Sequence, residues 1–400
     1  MSSSVAYLDP EQLQAALGVR DLSDPREGPH AIQLLIDRIV RALSRAWSCD
    51  VRWCRGPRIV PVADNYDGLG YAADAITREA RYTRYVSGKQ VLRSHSSAMV
   101  PPALRRLARD PADDVLLVCP GMAYRRDAID WQHTGTPHQV DLWRITRRAT
   151  TDADMDEMIS LLLDALTPDL PSRQEPRTHP YTRHGRQVDV LTGGHWVEVW
   201  ECGLADPGVL AAAGLAGHSG LALGMGLDRM LMLIKGIPDI RLLRSADPRI
   251  AHQMHDLARY QPVSSMPPMA RDLSVAVSED DDEETLGDRV RDALGGDAPC
   301  VEEVRVLSAT GYEQLPASAV GRLGARPGQK NLLVRVVLRD LERTLTNKDA
   351  NSLRDRIYLA IHQGTRHELA VPVARRGGAA PSASGTPRAA STRSALRAPG

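Results

Sequence analysis

Polar and charged side chains concentrate in one stretch, GMAYRRDAIDWQHTGTPHQVDLW, residues 121–143. Its two arginines, three aspartates, two histidines and two glutamines lie in a pattern that predicts a strand, a loop and a returning strand. The incoming strand of this hairpin would carry Arg125 and Asp127. The returning strand would carry Gln139 and Asp141. Because guanidinium groups bind phosphates and carboxylates, the stretch indicates a site for a small anionic ligand, and a surface hairpin with solvated charges is the alternative.

The bulk composition is that of a globular chain. Its 400 residues have 42% hydrophobic content and no formal net charge, which is enough material for two or three domains with their own cores. No apolar run approaches the roughly 20 residues of a membrane-spanning helix, and no secretion signal is recognised, so no membrane partner is expected. Five scattered cysteines without CxxC pairs favour a reducing, cytoplasmic location and argue against structural zinc.

Four segments are predicted along the chain. Residues 1–27 form an N-terminal extension with one short helix, capped by Asp9. Residues 28–255 form the main domain, which contains the polar stretch. Residues 262–372 follow the order βαββαβ of a split ferredoxin-like domain, whose last strand is HELAV. Residues 373–400 are rich in Ala, Gly, Ser, Pro and Arg without apolar periodicity, which predicts a disordered basic tail.

Several elements of the main domain follow from simple periodicity. Apolar residues at helical spacing predict amphipathic helices over residues 30–47 and 151–166. A Gly193-Gly194 turn predicts a second hairpin within residues 186–203. A glycine-rich strand, starting at Ser219, leads into an apolar helix that begins near Leu227. These elements would surround the central hairpin and position its side chains.

Four sequence segments taken together resemble the catalytic signature of a class II aminoacyl-tRNA synthetase, most closely the catalytic chain of the phenylalanine enzyme. The segments are RSHSS, GMAYRRDAIDWQHTGTPHQVD, WVEVWECG and GMGLDRMLMLIKGIPDIR. The PxxxRDLSVAV and LTNKDAN segments of the second domain are similar to that family's anticodon-binding domain. The layout resembles the compact single-chain form. This resemblance implies an α+β fold, with an antiparallel sheet flanked by helices and a C-terminal ferredoxin-like domain.

The resemblance also implies an activity and a set of site residues. The enzyme would use ATP and Mg²⁺ to activate an aromatic amino acid and would transfer it to a tRNA. The phenylalanine-specific tRNA is the expected acceptor. The nucleotide would be bound by Arg125, Asp127, Gln132, His133, Glu198 and Arg229, with Glu198 beside the magnesium. The amino acid would be bound by His95, Ser97, Gln139, Asp141, His179, Tyr181, Glu201, Ala222 and Leu223. Six basic residues of the second domain could meet tRNA phosphates, namely Arg335, Arg339, Arg343, Lys348, Arg354 and Arg356.

The sequence departs from the family's pattern at several positions, and most are expected to line the amino acid pocket. These are Pro137, Asp141, Leu142, His179, Tyr181, Glu201 and Leu223, while Asp228 is a milder change outside the pocket. Burying a carboxylate without a partner is unfavourable, so Glu201 should have a cationic or hydrogen-bonding partner, either in the protein or in the substrate. The pocket is therefore expected to accept a polar or otherwise altered aromatic amino acid.

Three functions remain open from the sequence: a tRNA-charging ligase, a specialised enzyme for a nonstandard aromatic amino acid, and a non-catalytic regulator that binds tRNA. The phosphate-binding arginines count against the third. The chain contains no phenylalanine among 400 residues, although it has ten tyrosines and six tryptophans. One hypothesis is that the protein is made where phenylalanine-specific tRNA is uncharged or carries an analogue; codon drift is the alternative. The sequence leaves the oligomeric state open.

Overall fold

The computed structural model describes residues 7–80, 82–263 and 266–367. The strands are β1 Asp50–Trp53, β2 Ile59–Pro61, β3 Tyr85–Ser87, β4 Gln90–Leu92, β5 Asp114–Met122, β6 His138–Thr146, β7 Ser172–Pro176, β8 Thr182–Thr192, β9 His195–Ala205, β10 Ser219–Gly226, β11 Met269–Ser278, β12 Val301–Gly311 and β13 Gln329–Leu338. The helices are α1 Pro10–Gly18, α2 Ala31–Trp47, α3 Val62–Asn65, α4 Val100–Arg109, α5 Asp152–Leu166, α6 Pro207–Ala212, α7 Leu227–Lys235, α8 Pro248–Ala251, α9 Glu283–Leu294, α10 Ala317–Leu323 and α11 Asn347–Ile361.

A seven-stranded sheet with the order β1-β5-β6-β10-β9-β8-β7 forms the centre of the chain. Every neighbouring pair is antiparallel except β1 and β5, which are parallel. The predicted α+β class, with an antiparallel sheet flanked by helices, is confirmed. Strands β6, β10 and β9 lie at the middle of this sheet, where side chains on one face are shielded from solvent by neighbours on both sides.

One face of the sheet is covered by α2, α5 and α7. The predicted helix over residues 30–47 is confirmed as α2, whose apolar residues recur at i, i+3 and i+4 and are fully buried. His30 caps this helix, because its Nδ1 accepts a hydrogen bond from the Ile32 amide at 3.2 Å. Apolar residues of β5, β6, β9 and β10 pack against the same helices. The opposite face of the sheet is therefore the one left for polar chemistry.

The predicted hairpin of residues 121–143 is confirmed as the antiparallel pair β5 and β6. The prediction that its incoming strand carries Arg125 and Asp127 is wrong, because β5 ends at Met122. Both residues lie in the connecting loop, residues 123–137. Part of the ladder continues into this loop, since the Arg125 amide donates to the Gly135 carbonyl at 2.9 Å. The loop therefore begins as an irregular extension of the hairpin.

Three further predicted elements are confirmed. The second hairpin is β8 and β9, and its turn has positive φ values of 57° at Gly193 and 81° at Gly194, which glycine adopts without strain. The helix predicted near Leu227 begins at that residue. The N-terminal helix begins at Pro10 and is capped by Asp9, whose side chain accepts from the Gln12 amide.

Residues 269–361 form a second unit with a three-stranded antiparallel sheet, β11-β13-β12. Helices α9 and α11 pack on one face of it. Helix α10, which sequence analysis did not predict, lies between β12 and β13 in the chain. The strand predicted at HELAV, residues 367–371, lies outside the described residues except for His367. The predicted tail also lies outside them. The complete βαββαβ order therefore stays a prediction. None of the helices in the described ranges is long and apolar enough to cross a bilayer.

The second unit contacts the loop of residues 123–137 directly. Ile129 of that loop is buried in the apolar core of the second unit, and its carbonyl oxygen accepts from the Val304 amide at 2.7 Å. The Arg291 guanidinium, on α9, donates to the carbonyl oxygens of Asp127 and Ala128. Helix α9 therefore holds the middle of the loop in place.

Candidate functional site

The polar face of β10 carries almost no side chain. Because alternate residues of a strand face the same side, Ala222, Gly224 and Gly226 share one face of the sheet. A Cβ atom added at Gly224 or Gly226 would meet no heavy atom within 4 Å, so open space lies above both. The backbones of β6 and β9 lie about 10 Å apart, twice the strand spacing. Strand β10 is therefore the floor of a groove, and β6 and β9 form its walls.

The register of the sheet places acidic residues on both walls of this groove. Gly224 pairs with Asp141 of β6 on one side and with Glu201 of β9 on the other. Gly226 pairs with Gln139. The two carboxylates therefore face each other across a floor without side chains, although they are far apart in the sequence.

A cavity of about 610 Å³ extends along the groove. It is lined by all six residues expected to bind the nucleotide, which are Arg125, Asp127, Gln132, His133, Glu198 and Arg229. It is also lined by seven of the nine residues expected to bind the amino acid, which are His95, Ser97, Gln139, Asp141, His179, Tyr181 and Glu201. The fold thus brings residues from distant segments of the chain into one cavity.

Two residues expected in the amino acid pocket do not line this cavity. Leu223 faces the other side of the sheet, because both of its neighbours on β10 face the groove, and it packs in the helix-covered core. Ala222 is on the groove face but is buried in the cluster around Trp143. Leu142, a departure expected to line the pocket, also lies in the helix-covered core because it follows Asp141 on β6. Strand alternation accounts for the corrections at Leu142 and Leu223.

Two arginines lie where β10 runs into α7, and we call this part of the groove the arginine end. Arg125 Nε donates to the Ser94 carbonyl oxygen at 3.0 Å, and Arg229 Nη1 donates to the Glu198 carbonyl oxygen at 3.4 Å. Neither guanidinium forms an ion pair with any carboxylate in the described residues. Two cations without a counter-charge make this end suited to an anion such as a polyphosphate.

Asp130 organises the loop at the arginine end. Its Oδ1 accepts from the amides of Gln132 and His133, at 2.8 and 2.9 Å. Its Oδ2 lies 2.6 Å from His133 Nδ1. The hydrogen bond that His133 Nδ1 donates to the Asp130 carboxylate raises the pKa of His133, against the effect of burial. His133 Nε2 lies 3.5 Å from Arg229, so a protonated imidazole would add positive charge where the two arginines already stand.

Glu198, on the β9 wall, lines the cavity at the arginine end, where its backbone carbonyl contacts Arg229. Burial raises its pKa, and the neighbouring charge of Glu201 raises it further, while Arg229 lowers it. The Glu198 carboxylate has no hydrogen bond or ion pair with the described residues, so it can bind a cation. No group of three or more His, Cys, Asp and Glu side chains in the described ranges could hold a metal. A divalent ion would therefore need most of its ligands from phosphates, as Mg²⁺ commonly does.

Asp141, on the other wall, is almost fully buried. Ser96 Oγ donates to its Oδ2 at 2.5 Å, and the Ser96 amide donates to Gln139 Oε1 at 3.1 Å. Burial raises the pKa of Asp141 to about 6, although the hydroxyls of Ser96 and Ser97 act in the opposite direction. A buried carboxylate of this kind gains from an ammonium group placed beside it.

His95 lies near these residues with its side chain unsatisfied. Both ring nitrogens are buried and have no hydrogen-bond partner in the described part of the chain. Burial, with a contribution from Arg125, lowers the pKa of His95 to about 3, so the imidazole is neutral. The rings of Tyr66 and Tyr71 flank it, each with its centroid 6.0 Å away. The neutral ring therefore carries one donor and one acceptor that the described residues leave without a hydrogen bond.

Aromatic rings close the other part of the groove, which we call the aromatic end. His179 stacks on Tyr181 with ring centroids 5.2 Å apart. Tyr181 lies 6.0 Å from Trp143 and 6.2 Å from Tyr71. These rings form a continuous apolar surface beside Ala222 of the floor. The side chain of an aromatic ligand could pack here at the distances that aromatic pairs prefer.

The prediction that Glu201 has a partner is confirmed. Its Oε2 lies 2.6 Å from His179 Nε2, and its Oε1 lies 2.5 Å from Arg177 Nε. Burial would raise the pKa of Glu201, but His179 and then Arg177 outweigh burial and lower it. Glu201 is therefore ionised, and His179 draws its carboxylate toward the aromatic end.

The six basic residues predicted to meet tRNA do not form one surface. Five of them pair with acidic residues of the second unit: Arg335 with Asp272, Arg339 with Glu302, Arg343 with Asp340 and Asp349, Arg354 with Asp355, and Arg356 with Asp297. Lys348 is exposed on α11. Arg335 faces away from that helix, because its neighbours Val334 and Val336 on β13 pack beneath it.

Sequence analysis missed several residues that line the cavity or shape its loop. Arg177, Tyr66 and Tyr71 come from irregular segments where no periodicity or motif could identify them. Asp130 does carry a local signal, since an aspartate followed by polar residues two and three positions later is typical of an Asx turn. Glu284, at the start of α9, also lines the cavity. Only the packing of the second unit against the loop could reveal it.

Comparison with known proteins identifies relatives of the chain. Residues 21–254 match the family described as the class II core domain (F) of tRNA synthetases. The chain is 35% identical over 204 residues to the phenylalanine–tRNA ligase alpha subunit of Prochlorococcus marinus (strain MIT 9313), covering 50% of this chain and 59% of the relative. It is 30% identical over 252 residues to the alpha subunit of the same name from Nostoc punctiforme, covering 62% of this chain and 75% of the relative.

A third relative extends into the second unit. The chain is 28% identical over 325 residues to the chloroplastic/mitochondrial phenylalanine–tRNA ligase of Arabidopsis thaliana, covering 78% of this chain and 71% of the relative. By contrast, the chain spans only 59% of the length of the Prochlorococcus subunit.

Proposed function

Because this chain belongs to the class II core family of tRNA synthetases, we propose that it activates an aromatic amino acid with ATP and transfers it to a tRNA. One observation carries the proposal. Arg125 and Arg229, both without a carboxylate partner in the described residues, lie at one end of a groove whose other end is aromatic. Activation of an aromatic amino acid needs this polarity, with phosphates at one end and the side chain at the other.

The chemistry sets the direction of the substrate in the groove. The α-carboxylate of the amino acid must face the nucleotide, because one of its oxygens attacks the α-phosphorus and the bond to pyrophosphate breaks. Arg125 and Arg229 would hold the phosphoryl oxygens as charge redistributes. Asp141 and Gln139 would receive the ammonium group on the β6 wall. The side chain then points away from the arginines, toward Tyr181.

The second step uses the adenylate formed in the first. A ribose hydroxyl at the 3′ end of the tRNA attacks the carbonyl carbon of the adenylate, and AMP leaves. ATP would be bound as its magnesium complex, and Glu198 is the side chain that would contact the metal, since its carboxylate has no partner in the described residues. The expectation that the second unit binds tRNA rests on resemblance and on the Arabidopsis alignment, which extends into this unit.

The observation at the arginine end also weighs against a non-catalytic regulator. Both arginines line the same cavity as the residues expected to bind the amino acid, and a protein that binds tRNA without using ATP has no need of a phosphate site there. At the aromatic end, His179, Tyr181 and Glu201 depart from the family's pattern. The identity of the amino acid is therefore a separate question.

Amino acid-dependent exchange of pyrophosphate into ATP tests the first step, and charging of tRNA tests the second. We expect exchange with at least one aromatic amino acid, followed by its transfer to tRNA. Exchange without transfer to any tRNA would indicate a small-molecule acceptor. The absence of exchange with every aromatic amino acid would overturn the proposed function.

A further inference from the structure

A charged pair occupies the part of the groove where the substrate side chain must lie. Glu201 and His179 both line the cavity, and each side chain is about one fifth exposed, at 20% and 19%. Gly224 separates Glu201 from Asp141, so the Glu201 carboxylate borders open space and not a packed core. The pair is therefore accessible to a bound amino acid.

Glu201 keeps acceptor capacity, because a carboxylate has about four lone-pair sites and its two partners in the described residues occupy only two of them. Arg177 Nε lies 2.5 Å from Oε1, which is itself buried. His179 Nε2 lies 2.6 Å from Oε2, which has a second lone pair. A ligand donor that reached the carboxylate from the cavity would therefore be stabilising.

The direction of the substrate makes this acceptor selective. With its α-carboxylate toward Arg125, the amino acid presents its ring to Tyr181, His179 and Glu201. An unsubstituted phenyl ring offers only C–H edges to the Glu201 carboxylate. A hydroxyl on the ring could donate to it. A neutral donor fits better than a cationic one, because Arg177 already balances the charge of Glu201.

We propose that the substrate is an aromatic amino acid with a hydroxyl group on its ring, and that Glu201, oriented by His179 and Arg177, is the residue that selects it. This inference rests on the proposed function. A site built for a hydroxyl can reject the analogue without it by roughly 10⁴-fold or more. Glu201 keeps two partners when the hydroxyl is absent, so its discrimination is smaller, about 10²-fold.

Pyrophosphate exchange on the full chain measures this selectivity directly. The panel contains phenylalanine, tyrosine, 3-hydroxyphenylalanine, 3,4-dihydroxyphenylalanine and tryptophan. We expect kcat/KM for at least one hydroxylated amino acid to exceed that for phenylalanine by about 10²-fold. In Glu201→Gly this ratio should fall to near unity, and in Glu201→Gln it should fall partially. The matched control Glu175→Gln changes an exposed glutamate on β7 and should leave the ratio unchanged.

Each other outcome has a distinct meaning. Exchange that is fastest with phenylalanine or tryptophan in the unmodified protein would overturn the inference and leave the proposed function standing. An equal loss for all amino acids in Glu201→Gly, with the melting temperature preserved, would make Glu201 a ligand of the ammonium group and would also overturn it. No exchange with any amino acid would remove the proposed function itself, and the inference with it.

Discussion

The two ends of the groove hold their charges in opposite ways. At the arginine end, neither Arg125 nor Arg229 has a carboxylate partner among the described residues, and the Glu198 carboxylate has no partner there either. At the aromatic end, Glu201 is bound by His179 and Arg177. A charge without a partner gains most from a charged ligand, whereas a charge that is already balanced gains from a neutral one. The first end is therefore suited to binding phosphate, and the second to discriminating between side chains.

The largest effect should come from removing a cation at the arginine end. In Arg125→Ala, pyrophosphate exchange should fall by roughly 10³-fold, because a phosphoryl oxygen loses its donor as charge develops on it. The fold should be intact, since the Arg125 side chain makes only one hydrogen bond within the described residues, to the Ser94 carbonyl oxygen.

Arg147→Ala is the control, because Arg147 is exposed and pairs with exposed Asp113. Exchange should not change in that variant. If Arg125→Ala were to retain exchange within about threefold of the original protein, the arginine end would not be a phosphate site.

The next largest effect should come from filling the floor between the ends. In Gly224→Ala the new methyl group has room in the empty protein but occupies the space between Asp141 and Glu201. We expect kcat/KM for the amino acid to fall by about 10²-fold, since a displacement of about 1 Å at the reacting groups can cost that much.

The melting temperature should be unchanged by this substitution, which calorimetry can check. Gly296→Ala adds a methyl group at an exposed glycine that also has open space around it, and exchange should be normal there. If Gly224→Ala lowered the melting temperature as well as the activity, the space above the floor would be packed in solution and not open.

A smaller effect should follow from changing the partner of Glu201. In His179→Phe the carboxylate loses its hydrogen bond, its pKa should rise, and unfolding in urea should show a loss of about 1.5–3 kcal/mol. The double variant His179→Phe/Glu201→Gly should recover much of that stability, because the carboxylate that lost its hydrogen bond is gone and Arg177 is half exposed to water. Additive losses in the double variant would contradict a direct interaction between the two side chains.

The smallest effect is a pH dependence on the β6 wall. Because the pKa of Asp141 is raised to about 6, its carboxylate is ionised above that pH and mostly protonated below it. The KM for the amino acid should therefore rise about tenfold between pH 7 and pH 5, as the ammonium loses its counter-charge. Asp141→Asn should have a high KM that is flat over this range. A tenfold rise that persists in Asp141→Asn would assign the titration to another group.

Local patterns were enough to predict the elements that build the groove. The alternation in residues 138–145 predicted β6, and the apolar periodicity of residues 30–47 predicted α2. The same alternation places Leu142 and Leu223 on the face away from the pocket. Resemblance to a family identifies positions in a motif and does not say which face of a strand they occupy.

Long-range pairing could not be predicted in the same way. The partner of Glu201 was expected on energetic grounds, and His179 and Arg177 are both close to it in space, but nothing in the sequence links Arg177 to β9. Tyr66 and Tyr71 reach His95 through loops without periodicity. The contact of α9 with the loop of residues 123–137 depends on how two separately folded sheets pack, which no local pattern reports.

That contact has a consequence for how the molecule unfolds. Ile129 is part of the loop in sequence, but its side chain packs in the core of the second unit. The Arg291 guanidinium donates hydrogen bonds to the carbonyl oxygens of the two residues before Ile129. The loop therefore cannot be released while the second unit keeps its packing intact. Hydrogen exchange should report loop amides such as that of Arg125 opening together with amides of α9, as one cooperative unit that crosses the boundary between the two sheets.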